Sequence, residues 1–295
     1  MPELPEVEVS RQGIEPWLLE QTIEQIKVRT PKLRWPVPDE VKRVEGAKII
    51  RVSRRAKYLL LETTGGTLLI HLGMSGNVRV LHSPPRPGKH DHLDILLGNG
   101  SVLRFHDPRR FGAVLWQEGD GLLHPLLAQL GPEPLCDEFD ADYLIHCSTR
   151  RSISIKQLLM DSKVVVGIGN IYANEALFRA RISPRMIACQ LTREQAQILV
   201  DSIKRTLIEA IGAGGTTLKD FLQADGKPGY FALNLNVYGR EGSPVRTASI
   251  RSRSLSRDSG QPSAAPGARR HRRVSAAVLH RCLGAGSTLL LYRQK

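Results

Sequence analysis

Two hydrophobic rhythms divide the chain, and the change falls near residue 130. Before it, short apolar runs at residues 47–52, 58–63 and 67–72 read as strands. The clearest pattern runs through residues 92–97, the turn Gly98-Asn99-Gly100, and residues 101–106. Leu93, Ile95 and Leu97 alternate with His92, Asp94 and Leu96; Leu103 and Phe105 alternate with Arg104 and His106. Period two around residues that accept positive φ predicts a hairpin. Several such strands predict a β-sandwich over residues 1–130. One short helix precedes them, because Pro5-Glu6-Val7-Glu8-Val9 places proline and acids where a helix begins.

Beyond Gly131-Pro132-Glu133-Pro134, which reads as a linker, the spacing turns helical. Helices are expected over 153–161, 170–179 and 192–211. The last opens on Thr192 with Gln195 three residues on, a capping-box pair. Leu199, Ile203, Leu207 and Ile211 share one of its faces, and Gly212 ends it. A Gly-rich stretch at 212–217 leads to a short expected helix at 218–223. Residues 131–241 therefore read as a helical domain, and the fold class as α+β.

Charge changes the picture at the end of the chain. The 295 residues carry a formal net charge of +13, yet residues 242–295 alone hold eleven basic groups and one acid. The rest is nearly balanced. This tail is rich in Ser, Ala, Arg, Gly and Pro, with Tyr292 its only aromatic, so disorder is expected over most of it. A content of 41% hydrophobic residues suffices for a real core. No apolar run approaches the length that spans a bilayer, and the acidic start is not a signal peptide; the cytoplasm is the expected compartment. Cys136, Cys147, Cys189 and Cys282 are too scattered for a disulfide framework or a C-x-x-C metal site.

Several residues could carry chemistry. Removal of Met1 would leave Pro2 as a secondary amine, partly uncharged at neutral pH. Attack by such an amine on a sugar C1′ gives an iminium ion, a strong electron sink. Glu3 and Glu6 lie close by for proton transfer. Lys57, in Arg54-Arg55-Ala56-Lys57-Tyr58, could hold a phosphate. In Lys89-His90-Asp91-His92 the alternation puts His90 and His92 on one face; no further ligand cluster is apparent, and His90 reads better as a phosphate donor than as a metal ligand. Asp107-Pro108-Arg109-Arg110-Phe111-Gly112 offers an arginine pair and an aromatic on a bounded loop, which suits a duplex-opening wedge; Met74 is a second apolar filler. Gly167-Ile168-Gly169-Asn170 could let a phosphate approach a helix N-terminus, with Arg150-Arg151 upstream.

Taken together these segments resemble the formamidopyrimidine-DNA glycosylase family, in register over about residues 1–244. The matching blocks include Met1-Pro-Glu-Leu-Pro-Glu-Val-Glu, Arg54-Arg-Ala-Lys-Tyr, His71-Leu-Gly-Met-Ser-Gly, Asp107-Pro-Arg-Arg-Phe-Gly, Val165-Val-Gly-Ile-Gly-Asn, Gly214-Gly-Thr-Thr-Leu-Lys and Val237-Tyr-Gly-Arg. The endonuclease VIII branch is less similar at the start. The resemblance implies a β-sandwich joined to a helix–two-turn–helix domain, acting on damaged double-stranded DNA as a monomer. It implies removal of a flipped-out oxidised purine, then strand cleavage by β,δ-elimination. By the same resemblance Pro2 is the nucleophile, Glu3 the proton donor and acceptor, and Lys57 an aid to elimination. His90, Arg109, Arg151 and Asn170 would contact DNA; Met74, Arg109 and Phe111 would fill the vacated space; the loop at 212–219 would close over the flipped base. Alternatives are a catalytically silent binder of damaged DNA and a glycosylase for oxidised pyrimidines.

The family's C-terminal zinc finger does not match. Val245 and Ala248 stand where its first cysteine pair belongs, Pro262 stands in place of an arginine, and Cys282 is alone. One cysteine cannot supply the four ligands of a structural zinc site. No zinc and no other cofactor is therefore expected, and the tail reads either as a slipped reading frame or as a basic arm.

Overall fold

The computed structural model describes residues 2–216 and 235–242. The expected tail beyond residue 242, the helix at 218–223 and residues 217–219 of the Gly-rich loop lie outside the described residues.

The chain opens with helix α1 (Leu4–Leu18), which is longer than the sequence pattern foretold. Pro5 sits in its first turn, where a missing N–H costs nothing, and Glu6 returns a carboxyl oxygen to the Glu3 N–H at 2.9 Å. Eight strands follow: β1 (Ile23–Val28), β2 (Ile49–Arg55), β3 (Tyr58–Thr63), β4 (Gly66–His71), β5 (Asn77–Leu81), β6 (Asp91–Leu97), β7 (Val102–His106) and β8 (Ala113–Gln117). They form two antiparallel four-stranded sheets, β1-β6-β7-β5 and β2-β3-β4-β8. The sandwich is therefore as the resemblance implied.

The hairpin at residues 91–106 pairs Leu93 with Phe105 and Ile95 with Leu103, and all four face the core between the sheets. Its other face is also covered, contrary to simple alternation of buried and solvated positions. There Arg104 forms a two-pronged bond with Asp94 at 2.9 Å on each prong, and Arg29 adds a third contact to the same carboxylate. These arginines hold the Asp94 carboxyl below its ordinary range, against the upward push of burial.

Short helix α2 (Pro125–Ala128) closes the sandwich region. The helical part contains α3 (Ala141–Ser148), α4 (Ile155–Met160), α5 (Asn170–Ala180) and α6 (Arg193–Gly212). Its core packs Phe139, Leu158, Ile171, Leu177, Leu199, Ile203 and Leu207, among others. Thr192 and Gln195 form the expected capping box of α6, and Ser154 and Gln157 form another at α4. The buried Glu175 of α5 takes the backbone N–H groups of Asn236, Val237 and Tyr238, which pins the segment 235–242 onto this core.

Candidate active site

The first residues of α1 meet the start of α5. The sequence brought them near no common element; the contact is made by Leu4 N–H donating to Gly167 O and by Glu3 reaching across. Glu3 is 2% exposed, and its carboxyl accepts N–H groups from Gly169 at 2.7 Å, Ile171 at 2.9 Å and Tyr172 at 3.4 Å. A helix N-terminus leaves such donors unpaired and favours negative charge. The Gly167-Ile168-Gly169 turn thus admits an anion, as expected, but the anion is the chain's own Glu3 rather than a phosphate. Glycine is required at both positions. A Cβ on Gly169 would meet the Glu3 side chain, and Gly167 has φ +79° with Leu4 Cβ 2.6 Å from where its own Cβ would sit.

Burial raises the Glu3 carboxyl to about 7; the Lys57 ammonium pulls it down and Glu6 pushes it further up. Both its protonated and ionised forms are accordingly present at neutral pH. Lys57 lies alongside, its Nζ 3.4 Å from Ile168 O, and burial lowers its pKa against the opposing pull of Glu3 and Glu6. Pro2 is buried at the head of this cluster. The three predicted catalytic residues are therefore brought together.

Glu6, named in the sequence only as a neighbouring acid, organises the floor. Its Oε1 accepts from Tyr172 OH at 2.6 Å, Thr216 N–H at 2.9 Å and Thr216 OH at 2.8 Å. Burial and the two nearby carboxylates hold the Tyr172 phenol well above its ordinary value, so it donates. Tyr172 and Thr216 escaped sequence reasoning, since only the fold places them beside residue 6.

A second group of predicted residues sits on neighbouring turns. Met74 and Phe111 are 39% and 44% exposed. The Arg109 guanidinium stacks over the Phe111 ring at 5.1 Å. Fully buried Asp107 ties these turns together: it accepts Ser75 OH at 2.8 Å, Gly112 N–H at 2.8 Å and Arg109 N–H at 3.2 Å. Met74 and Phe111 line a groove of about 540 Å³ with Leu33, Arg34, His71, Gly73 and Arg110. His71 was not singled out in the sequence. Burial, then Arg34 and Lys57, depress it to about 4, so it is neutral; its Nδ1 accepts from Gly73 N–H, which leaves the proton on Nε2 as a donor.

The remaining candidates are dispersed. His90 is half-buried and meets the ring of His106 edge-on at 5.9 Å. His92 does not pair with it: His92 is buried, bonded to Thr30 and to Asp107 O. Arg151 is exposed, with Asp161 4.0 Å away, and no described contact joins it to the Glu3 cluster. Asn170 is exposed in the first turn of α5, directly after the glycine that holds Glu3. Among the described residues no group of three or more His, Cys, Asp and Glu could hold a metal. The finger position lies outside them, and its sequence, with Cys282 the only cysteine after residue 189, does not fit a four-cysteine zinc site.

Fold and site define a class: a β-sandwich joined to helices, with a buried acid–lysine centre built around the N-terminal residues and two exposed apolar side chains, Met74 and Phe111, on nearby turns. The formamidopyrimidine-DNA glycosylase N-terminal domain model matches residues 1–114, and the H2TH domain model of the same family matches residues 130–222. A formamidopyrimidine-DNA glycosylase of Vibrio atlanticus is 57% identical over 242 residues, covering 82% of this chain and 90% of its own. One from Idiomarina loihiensis is 58% identical over 242 residues, with 82% and 90% covered. Among solved structures, the MutM (Fpg) protein of Thermus thermophilus superposes with a TM-score of 0.75 at 40% identity, covering 83% of this chain and 90% of that one. A Lactococcus lactis Fpg mutant in complex with Fapy-dG-containing DNA gives a TM-score of 0.77 at 32% identity, covering 83% and 91%. The chain belongs to the formamidopyrimidine-DNA glycosylase family.

Proposed function

We propose that this chain removes oxidised purines from double-stranded DNA and then cleaves the strand at the resulting abasic sugar. The observation that carries the reading is the seat of Glu3: a buried carboxyl, raised to about 7, next to Pro2 in sequence, held by the Gly169 N–H and influenced by the Lys57 ammonium. Once Met1 is removed, the Pro2 nitrogen attacks C1′, a C–N bond forms, and the bond from C1′ to the base breaks. The departing base takes up the proton lost from the Pro2 nitrogen; protonated Glu3 then gives its proton to O4′ as the C1′–O4′ bond breaks and the iminium forms, and ionised Glu3 takes a proton from C2′ in the following step. The iminium formed on Pro2 cannot discharge by losing a proton from nitrogen, so it draws electrons from C2′ after loss of a proton there, and the C3′–O bond breaks. Lys57 would assist this elimination and bind phosphate. His90, Arg109, Arg151 and Asn170 are assigned to DNA contact. Met74, Arg109 and Phe111 are assigned to the space left by the flipped base, for which their exposure on adjoining turns fits them.

The proposed site of action is the cytoplasm. Borohydride trapping on an 8-oxoguanine duplex tests the reading: a covalent protein–DNA adduct that disappears when Pro2 is blocked supports it. The missing cysteine pairs after residue 242 favour a second reading, a silent binder of damaged DNA. Retention of the duplex without any adduct would select that reading. Adducts confined to oxidised-pyrimidine duplexes would shift the substrate class.

A further inference from the structure

We propose that Glu133, in the linker between sandwich and helices, is a positioning residue that sets Lys57 for the reaction; the inference rests on the proposed glycosylase/lyase function. Lys57 is the second residue of a two-residue turn joining β2 to β3, where Arg55 pairs with Tyr58. The first turn residue, Ala56, has φ +54°, a left-handed value that glycine would adopt without strain. A non-glycine residue persists there only where its surroundings dictate the conformation.

Glu133 supplies that constraint. Its Oε1 accepts the Ala56 N–H at 2.7 Å and Arg55 Nη1 at 3.1 Å, and its Oε2 accepts Arg54 Nη1 at 2.8 Å. The same Arg54 nitrogen donates to Ala56 O at 2.9 Å, so both peptide groups flanking Ala56 are tied to one ionic knot. Arg54 is nearly inaccessible and also bonds Glu8 of α1 at 3.1 Å. Arg54 and Arg55 are therefore committed within the protein, not displayed to DNA as a basic strand end would be.

The linker is held from its other side too. Arg55 donates to Leu130 O and Gly131 O, while Val166 N–H donates to Pro132 O. A Cβ on Gly131 would lie 2.7 Å from the Lys163 and Val164 carbonyl oxygens, so the two backbones lie against each other. That second segment runs on to Ile168, whose carbonyl receives Lys57. One carboxylate thus stands behind the turn that bears Lys57, on a linker packed against the strand of chain that receives it. Prolines on both sides of Glu133 limit its backbone freedom.

A group that works through Lys57 loses its effect when Lys57 is absent. The test is a double-mutant cycle on the full chain with Glu133→Ala, Lys57→Ala and the pair. Single-turnover strand cleavage is read on an abasic-site duplex at enzyme excess, alongside thermal melting. Glu133→Ala is expected to slow cleavage about 10- to 100-fold, the scale of an ångström-sized misplacement. It should slow the Lys57→Ala enzyme by less than about 2-fold if the linkage through Lys57 holds. Glu133→Gln keeps an acceptor for Ala56 N–H and should recover most of the rate; if the alanine variant does not fold, Glu133→Asp, which keeps the charge for Arg54 and Arg55 but draws the acceptor away from Ala56 N–H, carries the same cycle. An equal slowing in both backgrounds overturns the proposal, as does an unchanged rate. Absence of any borohydride adduct with unmutated protein sinks the glycosylase/lyase reading and this proposal together. A normal adduct with an additive cycle sinks this proposal alone.

Discussion

Gly169→Ala isolates the seat of Glu3 from everything else. The N-cap Gly169 has φ −128° and ψ −158°, extended values open to alanine, so the substitution brings no backbone strain. The new methyl would sit 2.9 Å from Glu3 Cγ and closer still to its Cδ and Oε1. Carbon atoms pack at about 3.5 Å or more, so the carboxyl must retreat by roughly 1 Å. Being 2% exposed, it cannot swing into water. The retreat stretches its bonds from Gly169 N–H at 2.7 Å and Ile171 N–H at 2.9 Å. A hydrogen bond to a charged group contributes about 1.5–3 kcal/mol, so loss of one should cost roughly 2 kcal/mol and lower the melting temperature by about 4–8 °C. Misplacing Glu3, the proposed proton-transfer group, by ~1 Å should reduce single-turnover base release about 100-fold. The assay is base release from an 8-oxoguanine duplex with calorimetry on the same preparation. Wild-type rate and melting together would refute the seat of Glu3 described above.

Three further outcomes follow from the same geometry. The Glu3 carboxyl is raised from 4.5 to about 7, so its stabilising contribution is complete below about 4.5 and is lost as pH rises through about 7; the unfolding free energy of wild type minus that of Glu3→Gln should fall by roughly 3 kcal/mol across this window in urea titrations, and a flat difference counts against it. Asp107→Asn weakens the tie between the turns bearing Met74, Arg109 and Phe111, and should reduce duplex opening, read by 2-aminopurine fluorescence opposite the lesion, by several-fold while borohydride trapping on single-stranded abasic DNA stays within about 2-fold of wild type. Tyr172→Phe leaves Glu6 without its 2.6 Å donor and should cost about 1–3 kcal/mol by chemical denaturation; an unchanged midpoint would show that the Thr216 donors suffice.

How far the sequence disclosed the molecule depended on the range of the interactions involved. Local patterns were legible: the strand at residues 58–63 has the expected bounds, and the capping box at Thr192 marks the start of α6. β1 escaped because its buried residues, Ile23 and Ile26, are three apart; a register shift between Ile23 and Gln25 breaks the period of two. β2 runs on to Arg55, beyond the expected end at residue 52, because its last residues, Ser53-Arg54-Arg55, are polar and carry no apolar signal. α3 has only eight residues, and its clearest mark was Asp140, whose carboxylate caps Tyr143 N–H. In the candidate site, Pro2, Glu3 and Lys57 were named from the sequence, while Tyr172, Thr216 and the proposed positioning residue Glu133 were not. Each of the latter acts on residues more than 70 positions away. No periodicity reports such a contact. Glu133, an acid enclosed by two prolines in a linker, was the one visible hint.

The pairing of residue 3 with residues 169–172, and of residue 6 with Thr216, also orders events in the life of the chain. Synthesis begins at the amino terminus, and N-terminal domains fold first as the chain emerges. Residues 3 and 6 are therefore made well before the partners that complete their hydrogen bonds. A nascent chain that has finished its sandwich still lacks the donors that seat Glu3 and the loop stem that satisfies Glu6. Truncated products of interrupted translation would carry the same first residues without an armed centre. Building these pairings from residues 3–6 and 169–216 confines them to molecules made at least through residue 216.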